Sequence, residues 1–143
     1  MKELVLSRLT RLYGGSLDMD FGTMRKTLYT NPRNKSWEIE RGEYALSYYN
    51  CCWRIVKDDL ILCGCADDEN FIGQVFERYC CGARLVSCEF LDGITRRLSF
   101  SSGFSIDIFV CTANASEQLE DFTDFQEKRI NFYDFLRQQE INE

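Results

Sequence analysis

Short apolar runs, several alternating with polar residues, and the turn residues between them most constrain how this chain can fold. Alternation with a period of two places successive side chains on opposite faces of a β-strand. The runs lie at residues 17–21, 44–49, 52–57, 60–65, 85–91, 94–100 and 104–111. Turn-forming residues separate the later runs, namely Asp58-Asp59, Asp92-Gly93 and Ser101-Ser102-Gly103. The pattern predicts antiparallel hairpins, with the last three strands forming a meander.

The central hairpin is predicted in the most detail. If Asp58 and Asp59 form a two-residue turn, Arg54 lies opposite Cys63 on the returning strand. Trp53 is then expected in the core. Because both faces of this hairpin are apolar, we expect other elements to cover it on both sides.

Apolar residues at helical spacing indicate helices elsewhere in the chain. The helical segments are residues 2–12, 66–82 and 125–139, the last of which also fits a strand followed by a helix. Residues 31–35, which contain the only proline, and the acidic residues 114–124 are predicted to be loops.

The size and composition of the chain predict one folded domain. A chain of 143 residues can bury a core without staples, and an apolar share of 45% is too high for a disordered chain. We therefore predict an α+β fold in a single domain, residues 1–143, with helices packed on an antiparallel, hairpin-rich sheet.

The charge balance of this acidic chain bears on its partners. Seventeen Lys and Arg against 23 Asp and Glu leave a formal charge of −6. Because nucleic-acid binding depends on basic patches, we expect no nucleic-acid partner and expect instead a protein with a basic surface. The N-terminus lacks the apolar stretch of a signal peptide, and no run approaches the roughly 20 apolar residues of a membrane helix. We therefore expect a cytoplasmic protein without membrane contact.

Motifs that carry catalytic chemistry are sparse. The chain has no His, which removes the commonest general base and the commonest metal ligand. Two pairs of carboxylates, Asp18 with Asp20 and Asp58 with Asp59, are explained by strand alternation and by a turn. We therefore expect no enzyme activity, no cofactor and no metal.

The eight cysteines of this cysteine-rich chain leave other interpretations open. Their Cys-Cys and Cys-x-Cys spacings differ from the spacing of two to four residues that structural zinc sites prefer. The predicted hairpin would still place Cys52, Cys63 and Cys65 on one face, where three thiolates could bind a metal. We expect instead reduced thiols that pack as small apolar side chains. An enzyme that uses Cys65 or Cys111 as a thiolate is a further alternative.

Two groups of residues are candidates for partner binding. Tyr44, Tyr48 and Tyr49 lie beside loops and predict an exposed aromatic patch. Acidic residues at the mouth of the central hairpin and at the start of the following helix could face a basic partner. These acids are Asp58, Asp59, Asp67, Asp68 and Glu69.

Core and turn residues in the middle of the chain resemble a family of small bacterial domains. The motifs are GEYAL at residues 42–46, WRIVKD at 53–58, ILCGC at 61–65 and LSFSSGFSIDIF at 98–109. They are similar to the immunity proteins of polymorphic and contact-dependent toxin systems. The resemblance implies an immunity protein that neutralises a cognate toxin by stoichiometric protein binding during bacterial competition. The alternative is a non-catalytic regulatory or accessory protein-binding module.

Overall fold

A computed structural model describes residues 3–12, 16–92, 94–110 and 120–141, which form eleven strands and two helices. The strands are β1 (Leu6–Arg11), β2 (Leu17–Phe21), β3 (Arg25–Thr30), β4 (Ser36–Arg41), β5 (Tyr44–Tyr48), β6 (Cys51–Lys57), β7 (Leu60–Gly64), β8 (Leu85–Phe90), β9 (Thr95–Phe100), β10 (Phe104–Val110) and β11 (Glu120–Asp124). The helices are α1 (Glu69–Val75), which continues as a π-helical turn (Phe76–Cys80), and α2 (Phe132–Ile141). In the described part of the chain, neither helix is long and apolar enough to cross a membrane.

Nine of the described strands form two antiparallel sheets. The four-stranded sheet has the order β1-β2-β5-β11, and the five-stranded sheet has the order β7-β6-β10-β9-β8. Strands β3 and β4 form a separate two-stranded ribbon. Because β8, β9 and β10 are neighbours in chain order, the predicted meander is confirmed. The fold is therefore mainly antiparallel sheet with two short helices.

One cluster of buried side chains joins the two sheets. In the four-stranded sheet, Met19 and Phe122 both lie opposite Leu46 on the strand between them. In the five-stranded sheet, Trp53 lies opposite Ile108. All five side chains belong to the same buried cluster. The two sheets therefore bury their inner faces against each other, as in a β-sandwich.

Helix α2 contacts both sheets. The ring of Phe132 lies 5.0 Å from the ring of Phe122 in β11. The hydroxyl of Tyr133 donates a hydrogen bond to Oε2 of Glu120 at 3.0 Å, and the same oxygen lies 3.5 Å from Nε of Arg96 in β9. Apolar and polar contacts thus hold the terminal helix against the core, although it begins at Phe132 rather than at residue 125, where the predicted segment starts.

The predicted N-terminal helix is wrong, because the described part of that segment, residues 3–12, contains strand β1. A β-bulge after Leu6 places Leu6 opposite Phe21 and Leu9 opposite Met19. These two leucines, three positions apart, therefore share one face of a strand, so the bulge interrupts the period of two that would indicate a strand in the sequence.

Partners distant in sequence supply the hydrogen bonds that hold this strand. The backbone N–H of Leu6 donates to the oxygen of Ala83, and that of Gly82 donates to the oxygen of Leu6, both at 2.8 Å. Such tertiary hydrogen bonds override a weak local preference for helix.

The central hairpin turns where the sequence predicts. Asp58 and Asp59 have left-handed φ angles of 53° and 61°, which a tight two-residue hairpin turn requires. Trp53 is only 2% exposed, so its predicted burial is also confirmed.

The register and the environment of this hairpin differ from the prediction. Arg54 lies opposite Gly64 rather than Cys63, because a β-bulge adds one residue to β7. Strand β7 lies at the edge of its sheet, where Leu60 and Ile61 are 66% and 62% exposed. The hairpin is therefore not covered on both faces.

The second predicted helix is confirmed as α1 and its π-helical turn, which end before the left-handed Gly82. The predicted acidic loop at residues 114–124 is in part wrong, because residues 120–124 form strand β11. Its remaining residues, like Gly93 of the predicted Asp92-Gly93 turn, lie outside the described ranges.

Candidate protein-binding surface

Strands β3 and β4 form an arm, residues 25–41, that belongs to neither sheet. The side-chain oxygen of Asn31 closes its tip by accepting hydrogen bonds from the backbone N–H groups of Arg33 and Lys35, both at 2.9 Å. Asn34 has a left-handed φ of 60°, which completes the turn. The predicted loop at residues 31–35 is thus confirmed as the tip of the arm.

Large apolar side chains on the arm lie outside the core. Tyr29 and Trp37 are cross-strand partners with ring centroids 4.8 Å apart, yet they are 38% and 47% exposed. Leu28, on the other face of the arm, is 71% exposed. Clustered apolar side chains in contact with solvent mark interaction surfaces more often than single ones do.

A groove lies at the base of the arm, on the same face as the aromatic pair. The guanidinium of Arg25 lies over the ring of Phe125, 5.1 Å from its centroid. Next to this contact is a cavity of about 290 Å³, and its lining includes Glu43, Tyr44 and Asp124. By strand register Arg25 shares a face with Tyr29. We define the arm surface as the aromatic pair together with residues of the groove at its base, namely Arg25, Tyr29, Trp37, Tyr44 and Phe125.

Gly42 determines how the arm returns to the body. A Cβ at this position would lie 2.6 Å from the backbone oxygen of Phe21 and 2.9 Å from its nitrogen, so only glycine fits. The N–H of Gly42 donates to the buried carboxylate of Asp20 at 3.0 Å, and Nε of Arg8 donates to the same carboxylate at 3.0 Å. Nη2 of the Arg8 guanidinium donates a hydrogen bond to the backbone oxygen of Glu40 at 2.6 Å. These contacts anchor the base of the arm to β1 and β2.

We expect Gly42→Ala to lower the free energy of unfolding by about 2 kcal/mol, because the new methyl group would overlap backbone atoms that cannot move aside. Urea unfolding followed by circular dichroism measures the change. Gly73→Ala is the matched control: nothing lies within 4 Å of a Cβ there, so alanine in α1 should raise stability by about 0.5 kcal/mol. Equal stability of Gly42→Ala and the parent chain would contradict the close approach.

The predicted patch of exposed tyrosines is not formed. Tyr48 is 1% exposed and points into the core, where burial and the nearby Glu120 raise its pKa well above the usual value. Tyr49, the next residue, faces outward. Tyr44 is half-buried and stacks on Phe122 with 5.5 Å between ring centroids. Tyr44 and Tyr48 share the inner face of β5 because they are four positions apart, so of these two only Tyr44 lines the groove.

The predicted acidic residues occupy two separate places. Asp58 and Asp59 form the hairpin turn, whereas Asp67, Asp68 and Glu69 lie beyond the other end of β7, about 17 Å away for a strand of five residues. The carboxylate of Asp67 accepts a hydrogen bond from the N–H of Gly64 at 2.7 Å, and that of Asp68 caps α1 by accepting from Asn70 at 3.1 Å. These acids are exposed, but Asp67 and Asp68 also stabilise local structure.

The pair Asp18 and Asp20 lies on the outer face of β2, as the alternation predicts. The carboxylate of Asp20 accepts hydrogen bonds from Arg8 and from the N–H of Gly42. Burial raises the pKa of Asp18, and a hydrogen bond from the hydroxyl of Ser47 at 2.6 Å opposes that shift. The geometry accounts for both carboxylates by interactions within the fold.

Three free thiols, those of Cys63, Cys80 and Cys88, are buried or partly buried. Burial is the main cause that raises the pKa of Cys63 to about 11 and those of Cys80 and Cys88 to about 12, so these groups stay protonated near neutral pH. The predicted cluster of Cys52, Cys63 and Cys65 is not formed on one face, since Cys52 faces outward and Cys63 lies in the core. Within the described ranges, no three His, Cys, Asp or Glu side chains are placed to hold a metal ion. Cys111 lies outside those ranges.

The aromatic residues of the arm were missed in the sequence. Thr27 and Tyr29 precede the tip and Trp37 and Ile39 follow it, an alternation that indicates a hairpin once the turn at residues 31–35 is taken as its centre.

No family model, no curated protein and no solved structure matches this chain. The proposals that follow therefore depend on its own residues and geometry.

Proposed function

We propose that this chain is a non-catalytic immunity protein that neutralises a cognate bacterial toxin by stoichiometric protein binding. The observation that carries the proposal is the arm, which holds Tyr29 and Trp37 in solvent on a paired ribbon. Tyr, Trp and Arg are the residues that most often dominate the binding energy of protein interfaces. The arm surface supplies all three types.

The toxin as partner follows from the resemblance of residues 42–110 to immunity-type domains. Gly42, which leads the first of those motifs, is required for steric reasons where the arm joins β5. A strand-paired arm also loses little conformational freedom on binding, which favours affinity. A basic toxin surface facing the exposed acids Asp67, Asp68 and Glu69 stays a prediction, as does a cytoplasmic site of action.

The test is co-expression of this chain in a bacterial host with the toxin-like protein encoded beside its gene. We expect restored growth and a complex of one chain per toxin by size-exclusion chromatography with light scattering. Trp37→Ala combined with Tyr29→Ala should abolish the rescue. Leu60→Ala, which removes an even more exposed apolar side chain from β7, should not. Absence of both rescue and complex would contradict the proposal, whereas a complex without rescue would favour an accessory or regulatory binding module.

A further inference from the structure

We propose that the arm surface docks into an acidic, apolar-lined cleft of the partner protein. This inference rests on the proposed function of stoichiometric protein binding and adds the chemistry of the partner. It also differs from the expectation drawn from the net charge, because the charge of this chain is unevenly distributed.

The arm is a basic element on an acidic body. Residues 25–41 contain five basic and two acidic side chains, a net charge of +3 within a chain of −6. The remaining residues therefore carry −9. A partner that meets the arm meets the opposite charge from a partner that meets the body.

The basic and acidic side chains of the arm also lie on different faces. Glu38 and Glu40 alternate with Trp37, so both lie on the face opposite the aromatic pair. Nζ of Lys26 on that face lies 3.7 Å from Oε1 of Glu38 and partly neutralises it. Arg25 and Arg41 lie at the base of the aromatic face, where Nε of Arg41 is 3.5 Å from Oε1 of Glu127 and where Glu43 and Asp124 line the groove beside Arg25, so acids of the body partly neutralise them. Arg33 and Lys35 lie at the exposed tip. A complementary partner therefore has an apolar floor for the rings and carboxylates that meet the tip of the arm.

Two other occupants fit the charges less well. A nucleic acid would have to approach a body that carries −9, and long-range repulsion opposes that approach. A second copy docked aromatic face to aromatic face would bring two elements of charge +3 together. A protein with an acidic cleft avoids both repulsions.

The inference is tested with synthetic probes and the intrinsic fluorescence of the chain. Trp37 is 47% exposed and Trp53 only 2%, so acrylamide quenching reports mainly on Trp37. The probes are a peptide in which Glu alternates with Leu, the same peptide with Lys in place of Glu, and a single-stranded oligothymidylate. We expect the Glu peptide alone to bind at low salt and to shield Trp37 from acrylamide, with affinity that falls as salt rises.

Variants locate the binding on the arm. Tyr29→Ala, and separately Arg33→Glu with Lys35→Glu, should each weaken binding of the Glu peptide at least about tenfold. Leu60→Ala and Arg78→Glu, which change exposed side chains outside the arm, should leave the affinity unchanged. An unchanged circular dichroism spectrum and an unchanged urea unfolding midpoint of each variant check that the core is intact.

Each other outcome overturns the inference. Preference for the Lys peptide would show that the complementary surface is basic. Binding of the oligothymidylate would show that the arm binds nucleic acid. No binding of any probe would show that the arm does not recognise an acidic cleft. Toxin rescue serves as the separate readout of the proposed function. Rescue that survives the reversed tip charges contradicts only the acidic cleft, whereas Glu-peptide binding without any rescue contradicts only the toxin.

Discussion

Replacing Trp53 with alanine is expected to lower the free energy of unfolding by about 4 kcal/mol. Trp53 is 2% exposed between the two sheets, so its removal leaves a cavity that well-packed neighbours fill only in part. Trp37→Ala should change stability by less than about 0.5 kcal/mol, because its ring stands in solvent on the arm. Urea unfolding followed by circular dichroism gives both values.

A second variant separates the volume of Trp53 from its polar atom. The indole Nε1 of Trp53 is buried and has no hydrogen-bond partner among the described residues. Trp53→Phe therefore removes no hydrogen bond at this position. We expect this variant to lose less than half of what Trp53→Ala loses. A similar loss in Trp37→Ala and Trp53→Ala would contradict the assignment of one tryptophan to the core and the other to the surface.

Replacing Asp107 with asparagine is expected to lower the free energy of unfolding by about 3 kcal/mol at neutral pH. Asp107 is fully buried at the centre of a row across β6, β10 and β9. Its carboxylate accepts hydrogen bonds from Arg54 at 3.2 Å and from Arg97 at 2.7 and 3.0 Å. Asparagine removes the charge and turns an N–H₂ group toward a guanidinium. The loss stays moderate because both arginines are partly exposed and can be hydrated.

The pH dependence of this loss has a definite sign. Burial by itself raises the pKa of Asp107, but hydrogen bonds from Arg97 and Arg54 outweigh burial and hold it below the usual value. A carboxyl group with a lowered pKa in the folded state stabilises the fold above its unfolded pKa of about 3.9, and that stability is lost as the pH falls through the folded value. The difference between the parent chain and Asp107→Asn should therefore be full at pH 7 and shrink below about pH 4.

Asp59→Asn is the matched control for this prediction. Asp59 is exposed in the hairpin turn with a φ of 61°, a conformation that asparagine adopts as readily as aspartate. Its stability should stay within about 0.5 kcal/mol of the parent chain at pH 7. A loss for Asp107→Asn that does not depend on pH would show that packing, rather than the charge, accounts for it.

Local signals in the sequence were reliable where a turn and an alternation coincide. Asp58 and Asp59 accept left-handed backbone angles, and the apolar residues of β10 recur at every second position. Turn chemistry and a period of two are properties of neighbouring residues, so no distant contact is needed to recognise them.

Register and bulges could not be obtained in this way. The bulge after Leu6 interrupts the period of two along β1, and the bulge in β7 places Arg54 opposite Gly64 instead of Cys63. A bulge forms where two strands must keep pairing while their side chains stay in phase with a core. That requirement involves the partner strand and the opposing sheet, which the local sequence does not contain.

The sequence by itself determined the turns at residues 31–35 and at Asp58-Asp59 and the alternation along strands such as β10. Only the tertiary structure decided which face of each strand is buried. Tyr48 and Trp37 both stand on strands and both are aromatic, yet Tyr48 faces a second sheet and is 1% exposed, while Trp37 lies on a ribbon outside both sheets and is 47% exposed. Burial of a strand face requires a second layer packed against it. Whether that layer exists depends on the arrangement of elements far apart in the chain, and this is why only the fold shows that the aromatic residues of the arm are exposed.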